Sequence, residues 1–575
     1  MDTSRVLLAI VLSVAIILGW QYFFIGSSPI PPPAKQAAGQ EQTPVAASQA
    51  NEPAKSPAMT APASPPPVPL ATSPASPPAK PGRDITVHTD LFTAVFSENG
   101  AALKSLTLNR YRESVKKDAP GKEVVTNNPE DGYPLKFSWG DLVGGDLFYQ
   151  AETTGLDLRG ETKTGTLLMR ADAGNGIVVE RRYSFDTGSY LFSVDITVKN
   201  SSGHPVQGVP GLEQINPPFE RGSNPADRFL FKGPIAFING KRLEVPAKEF
   251  ASGPKTEQGN IEWAGYEGNY FLRAVLPQEA DAATFTMRGD DKLTITSLGG
   301  KLETIAPGAE KTYGYQVFYG PKKIRDLQKI GRNLEYSVDF GWFDILARPM
   351  LIWLLNPIYH VVKNYGVAII IVTILFKLIL WPISQKGLKS MKNMQKLQPK
   401  MVKLKEKYKG DPTRLNQEVM NLYKTYKVNP MGGCLPILVQ IPIFFALYKV
   451  LLQSIELRHA PFMLWISDLS APDRLPLWFD IPDIGSFYVG GGLPVLTLLM
   501  GVSMWYQQKI TPTSADPTQA KIMMFMPVLF TFMFLNFPAG LVLYWLVNNL
   551  LSILQQKLIL REGEKNTPVL QGGGS

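Results

Sequence analysis

Apolar positions along the chain fall into three patterns, and each predicts a different kind of structure. The first is an uncharged, mainly apolar run from Val6 to about Phe24 that ends in Trp20, Tyr22, Phe23 and Phe24. Such a run is roughly long enough to cross a bilayer, with aromatic residues where the far interface would lie. Gly26 and Ser28 are small enough for a signal-peptidase cut, yet Pro29 would follow it, and Arg5 is the only basic residue ahead of the run. Residues 1–28 are therefore expected to form a retained signal anchor with its amino end in the cytoplasm. Residues 29–82 are rich in Pro, Ala, Ser and Gln. That composition cannot bury enough apolar surface to offset ordering, so it predicts a disordered linker.

The second pattern has period two. Phe192, Val194, Ile196 and Val198 alternate with Ser193, Asp195, Thr197 and Lys199, between the turn-forming Asp186-Thr187-Gly188 and Asn200-Ser201-Ser202-Gly203. Leu293 and Ile295 alternate with Thr294 and Thr296 after Gly289-Asp290-Asp291. Many short strands with such punctuation predict an antiparallel β-sandwich. A helix at 322–333 would close the domain, which is expected over 83–333.

The third pattern is dense in apolar runs. After Gly341, the run from Trp342 to Leu354 is apolar but interrupted by Asp344, Arg348 and Pro349, which suits a helix lying in the membrane interface, expected over 334–360. Spanning helices are expected at 366–383, 434–452, 487–506, 522–537 and 541–558, within a core at 361–561. With the first run that makes six. Between them, residues 384–430 carry twelve basic residues against Glu406, Asp411 and Glu418. The segment 456–486 instead carries Asp468, Asp473, Asp480 and Asp483 against Arg458 and Arg474. The positive-inside rule then puts the basic stretch in the cytoplasm and the acidic loop outside. Lys509, Lys521, Lys557 and Arg561 fall inside, and so do the carboxyl end and its tail at 562–575.

The predicted architecture is thus multi-domain. It combines an all-α polytopic membrane bundle of six transmembrane helices (N-in/C-in), an outer antiparallel β-sandwich and a cytoplasmic helical hairpin at 384–430. The hairpin reads as helices at 387–409 and 412–426, broken at Gly410-Asp411-Pro412. Lys396, Lys400, Lys403, Lys405, Lys407 and Arg414 give it a basic surface suited to lipid headgroups, ribosomal RNA or acidic nascent chains. Topology alone accounts for much of that charge.

Charge and composition narrow the chemistry. The net charge of +9 is concentrated in this hairpin, and the single cysteine, Cys434, excludes an internal disulfide. Four histidines form no ligand-spaced cluster, and neither GxxxxGK[ST] nor GxGxxG occurs. No metal, cofactor or catalytic residue is expected. The residue that stands out is Lys377, inside an apolar run from Ile369 to Leu380. A lysine within a spanning helix costs roughly 2.5–3.5 kcal/mol on insertion scales. Snorkelling is one reading, since Ser384 lies about 10 Å further along the helix. The expected spans contain no Asp or Glu, so the alternative is a polar, hydrated hollow that keeps the ammonium wet. Thr373 lies one turn earlier on the same face, and Gln440, Gln508 and Asn548 either line the hollow or bond between helices. The missing acids argue against a proton-coupled transporter. Met500, Met504, Met523, Met524, Met526 and Met533 suit either ordinary packing or a surface that accepts varied apolar partners.

Several motifs resemble the YidC (YidC/Oxa/Alb) family of membrane protein insertases. They are Gln398-Pro399-Lys400, Val428-Asn429-Pro430-Met431-Gly432-Gly433-Cys434-Leu435-Pro436, Gln440-Ile441-Pro442-Ile443-Phe444, Ala460-Pro461-Phe462, Trp465-Ile466-Ser467-Asp468-Leu469-Ser470 and Phe537-Pro538-Ala539-Gly540-Leu541-Val542-Leu543-Tyr544-Trp545. The match runs from Gly341 to Arg561, and the anchor and β domain resemble the Gram-negative form. That domain looks like a sugar-mutarotase sandwich without the enzyme's activity.

The resemblance implies a non-enzymatic insertase and chaperone of the Gram-negative inner membrane, with its β domain in the periplasm. Its partners would be nascent membrane proteins, the ribosome, the phospholipid bilayer and the Sec translocon, and it would function as a monomer. It also implies a groove open to cytoplasm and lipid, with Lys377 standing where many members carry arginine. Thr373 and Trp545 match groove positions, and Trp545 replaces a tyrosine found in some members. Two rival readings are a channel or transporter and an envelope scaffold acting through the β domain.

Overall fold

The computed structural model describes residues 82–218, 230–278, 284–426, 428, 435–477, 492–511 and 517–565. The anchor expected at 1–28, all but the last residue of the linker, and the motif residues 429–434 lie outside the described residues.

The β domain is built on a nine-stranded sheet. Its order is Lys241–Glu244, Gly233–Ile238, Ile261–Glu267, Phe271–Pro277, Glu310–Pro321, Leu191–Asn200, Ile177–Asp186, Thr164–Gly174 and Gln150–Ala151. The alternating segment forms the strand Leu191–Asn200 and pairs antiparallel on both sides, with Phe192, Val194, Ile196 and Val198 buried. Two five-stranded sheets and a two-stranded ribbon complete the domain.

Two details depart from the expected pattern. Asp84–His88 pairs in parallel with Gly155–Asp157, so the domain is not wholly antiparallel. The connection between those strands is long enough to return the chain in the same direction along the sheet edge, which a tight hairpin cannot do. In Thr294–Gly299 the faces are inverted: Thr294 and Thr296 are buried, while Leu293 and Ile295 are half-exposed. The buried hydroxyls are satisfied. Thr294 Oγ1 donates to the Asp290 carbonyl at 2.7 Å, and Thr296 Oγ1 accepts from Asn216 Nδ2 at 3.1 Å. Hydrogen bonding therefore overrides simple hydropathy here.

Buried polar groups also pin the sheets together. Arg181 donates to the carbonyls of Gly100 and Leu135, both at 2.6 Å. Trp139 Nε1 donates to the Tyr313 hydroxyl at 2.8 Å. Arg273 is fully buried and donates through Nε to the Val124 carbonyl at 2.7 Å; burial lowers its guanidinium to about 10.

The helix after the sheet, α1 (Ile324–Ile330), is shorter than the 322–333 expected, because Gly331 leaves it at φ 78°. Then follow α2 (Asp344–Pro349), a π-type turn at Met350–Leu355, α3 (Asn356–Val362) and α4 (Tyr365–Lys396). The remaining helices are α5 (Gln398–Lys407), α6 (Pro412–Thr425), α7 (Leu435–Gln453), α8 (Val495–Ile510), α9 (Pro517–Phe534) and α10 (Ala539–Lys565). Among the described residues, Gly341–Val362 and Tyr365–Lys396 are long and apolar enough to cross a membrane, and Leu438–Gln453 and Met523–Phe534 are shorter apolar helices.

Helix limits differ from the expected spans in instructive ways. α4 runs on through the basic stretch instead of ending near 383, because residues 384–396 contain no strong helix breaker beyond Gly387. The break comes at Leu397, and Pro399 sits in the first turn of α5. The first hairpin helix is thus the end of α4 plus α5, rather than a single helix at 387–409. α8 starts at Val495, after Gly492 (φ 145°) and Pro494, and residues 487–491 of the expected span lie outside the described residues.

A second apolar cluster joins the two halves. It runs from Ile235, Trp263 and Phe318 in the β domain, through Leu327 of α1, to Leu351, Ile369, Leu451 and Leu541 in the helices. Beyond α7, Ile455 reaches into the β-domain core, and Arg458 Nη2 donates to the Glu113 carbonyl at 3.3 Å.

Candidate functional site

α4 is preceded by Asn364, whose side chain accepts from Val367 N at 3.1 Å and caps the helix. Along the next turns its faces separate. Ile369, Val372 and Thr373 are buried, whereas Ile374, Leu375, Leu378 and Ile379 are exposed, as residues turned toward lipid would be. Lys377 lies on the inward side and is half-buried. Its Nζ donates to Ser552 Oγ of α10 at 2.6 Å. Among the described residues it has no carboxylate partner.

Ser552 Oγ in turn donates to the Asn548 carbonyl at 2.7 Å. Tyr544, Asn548 and Ser552 recur every four residues and therefore share one face of α10. Gln440 Nε2 of α7 donates to the Tyr544 hydroxyl at 3.4 Å. At the other end, Gln555 Nε2 donates to the Trp381 carbonyl at 3.3 Å. From Tyr544 to Gln555 this polar line extends about 16 Å along the helix.

The expected site residues fare differently. Lys377 meets the Asn548 turn through Ser552, and Gln440 reaches the same line through Tyr544. Thr373 sits one turn before Lys377, but its hydroxyl is committed to the Ile369 carbonyl at 2.7 Å. Trp545 packs among Phe444, Phe530 and Phe534, with ring centroids at 4.9, 6.1 and 5.1 Å. The tyrosine hydroxyl nearest the line belongs instead to its neighbour, Tyr544. Gln508 makes no hydrogen bond with any of these residues, and its Nε2 is buried without a partner among the described residues. The amides that tie α10 to α8 are Asn549, which donates to Ser503 Oγ at 3.0 Å, and Gln556, which donates to Thr511 Oγ1 at the end of α8 at 3.1 Å. Ser552, Tyr544 and Gln555 were not among the expected site residues, although their helical spacing was present in the sequence.

Lys449, also inside the segment expected to span at 434–452, takes no part in this line. It lines a cavity of about 180 Å³ near the carboxyl end of α7, with Arg242, Glu267, Lys322, Asp339 and Gln453. There Glu267 accepts from Arg242 Nη2 at 2.7 Å and from Lys322 Nζ at 3.3 Å. Burial pushes the Glu267 carboxyl up, against the pull of both cations. This network belongs to the contact between the β domain and the helices.

In the hairpin, Asp411 caps α6 by accepting from Arg414 N at 3.0 Å. Tyr423 donates to Met401 Sδ at 3.1 Å, and Lys400 lies 4.2 Å from the Tyr426 ring centroid. Those contacts hold α5 against α6. Lys396, Lys400, Lys403, Lys407 and Arg414 remain exposed, and Lys405 is half-buried.

A folded β domain joined through one apolar cluster to helices of membrane-spanning character defines an integral membrane protein with a large extramembrane part. Residues 84–354 match the family described as the YidC periplasmic domain, and residues 357–566 match the 60Kd inner membrane protein family. The membrane protein insertase YidC of Syntrophus aciditrophicus (strain SB) is 40% identical over 569 residues, covering 97% of this chain and 99% of the relative. The chain belongs to the YidC family of membrane protein insertases. It is an inner-membrane protein with a periplasmic β domain, and its work is the insertion of membrane proteins. Among solved structures it is similar to that of an active YidC insertase with the first transmembrane domain resolved, at TM-score 0.36 and 20% identity, covering 84% of this chain and 93% of that one. It is also similar to a galactose mutarotase-like protein from Lactobacillus casei ATCC 334, at TM-score 0.31 and 14% identity, covering 41% and 99%.

Proposed function

We propose that the polar line around Lys377 is the floor of a hydrated groove, open to cytoplasm and lipid, that shelters the short polar outer region of an arriving client. The protein crosses the membrane six times with both ends in the cytoplasm, and Gly341–Val362 lies in the outer interface. The basic hairpin and carboxyl tail receive the nascent chain from the ribosome. The client's apolar segment then slides along exposed side chains of α4 and α9, among them Leu378, Ile379, Phe525, Leu529 and Met533, into lipid. No covalent step occurs. The driving force is transfer of apolar groups, roughly 0.8 kcal/mol for each CH₂. The protein acts as a monomer, alone or beside the Sec translocon.

The observation that carries this reading is the Lys377–Ser552 hydrogen bond. A snorkelling lysine would direct its ammonium along the helix to the headgroups, whereas this one turns across to a hydroxyl on α10. Site-specific photocrosslinking from position 373 or 545 to a ribosome-stalled client tests the proposal. Adducts that form with the client's outer region, and disappear once it is released into lipid, are the expected outcome. Crosslinks to lipid alone at both positions would refute it.

A further inference from the structure

The chemistry of Ser552 gives it a more specific task than packing. An ammonium has three N–H donors and no acceptor, and a serine hydroxyl has one donor and two acceptor lone pairs. Ser552 commits its single hydrogen to the Asn548 carbonyl at 2.7 Å, so toward Lys377 the oxygen can only accept. The two bonds are thereby ordered in one direction, ammonium to hydroxyl to backbone carbonyl. Only one of the three ammonium donors is used. Among the described residues no carboxylate or other side chain takes the other two.

Lysine is a point charge on a flexible four-carbon stem, and nothing in the stem itself fixes where the charge is held. Next to Lys377 on α4, Leu378 and Ile379 are exposed. A modest rotation would therefore carry the ammonium away from the bundle and toward the headgroups. The Ser552 oxygen opposes that rotation from the facing helix.

We infer that Ser552 is a positioning residue: it holds the Lys377 ammonium inside the groove with two donors free, and so favours clients whose outer region carries a carboxylate. This rests on the groove reading above. A carboxylate offers acceptor oxygens to both free donors in a charge-assisted pair. A neutral amide offers a single carbonyl and gains less. Without Ser552, the same lysine remains in the chain but its charge is no longer held at the site.

The test compares Ser552→Ala, Ser552→Thr and Lys377→Leu in the full-length protein, reconstituted in lipid vesicles. Each is given two versions of one short client that differ only in whether the outer region bears Asp and Glu or Asn and Gln. Ser552→Ala is expected to slow the acidic client roughly tenfold more than its neutral twin, the lower end of the scale of one lost hydrogen bond to a charged group. Ser552→Thr keeps the hydroxyl and is expected to restore the acidic client's rate. Equal slowing of both clients by Ser552→Ala, or no slowing, would overturn the inference, since a packing role does not read client charge. If Ser552→Ala is without effect while Lys377→Leu slows the acidic client, positioning by Ser552 fails and the groove stands. If Lys377→Leu itself leaves the acidic client untouched, the groove reading and the inference fall together.

Discussion

Trp465 Nε1 donates to Asp473 Oδ1 at 2.6 Å, and the other oxygen of the same carboxylate accepts from Leu496 N at 2.5 Å and Thr497 N at 3.4 Å. One buried acid therefore anchors the loop after α7 and caps the amino end of α8, where backbone N–H groups lack partners. Asp473 counts toward the acidic loop that orients the membrane helices, yet it is buried and fully engaged. Replacing it with alanine removes a cap and orphans the indole N–H. The expected cost is about 2–4 kcal/mol, from cap loss and an unsatisfied buried donor together. Thermal unfolding of the detergent-solubilised protein measures this. Asp473→Asn keeps an acceptor and should lose less.

Gly366 stands where α4 meets the loop around Phe462. A Cβ there would lie 2.0 Å from Phe462 Cδ2, and Asn364 fixes the same loop by donating to the Phe462 carbonyl at 2.8 Å. Gly366→Ala should destabilise the helix bundle by about 1–3 kcal/mol through overpacking. Gly410→Ala, with open space around the same atom, should not. Comparing the two melting temperatures checks the contrast.

Glu98 links acidity to the stability of the β domain. Its carboxylate accepts from the Arg83 side chain at 2.6 and 3.1 Å, from Arg83 N at 2.9 Å and from Ala151 N at 3.2 Å. The Arg83 hydrogen bonds, foremost, hold it below the usual carboxylate range. A depressed folded-state value means stability that is present at neutral pH and is lost as pH falls through the folded value. Glu98→Gln is expected to melt lower at pH 7 and to lose less on acidification toward pH 3. Parallel melting curves for the two proteins across that window would contradict the assignment.

The periplasmic domain offers a separate discrimination. Deleting residues 84–320 should leave most insertion activity in place, because the polar line lies entirely within α4, α7 and α10. An envelope scaffold working through the β domain would fail the same test. Some loss of stability is expected, since Ile455 would then have no core to enter.

Much of this was legible in the chain, for physical reasons that differ by region. The strand at Leu191–Asn200 follows from strict alternation, and the break before α6 follows from Gly410-Asp411-Pro412. Lys377 stands out because its cost in an apolar helix demands an explanation. Other features were hidden. The burial of Thr296 depends on Asn216, a partner distant in sequence, and α4 outruns its apolar stretch because helix propensity does not stop where hydropathy does. In the site, attention to amide side chains favoured Gln508 over Ser552. The better signal was the four-residue recurrence of Tyr544, Asn548 and Ser552, which marks one face of a helix whatever the strength of each polar group.

The central claim is that the Lys377 ammonium serves arriving clients from within the bundle. Insertion rates of clients with charged outer regions, measured for Lys377→Leu at matched protein levels, test it most directly. The expected result is a several-fold slowing for charged outer regions, with purely apolar clients little affected. Unchanged rates across every charged client would contradict it.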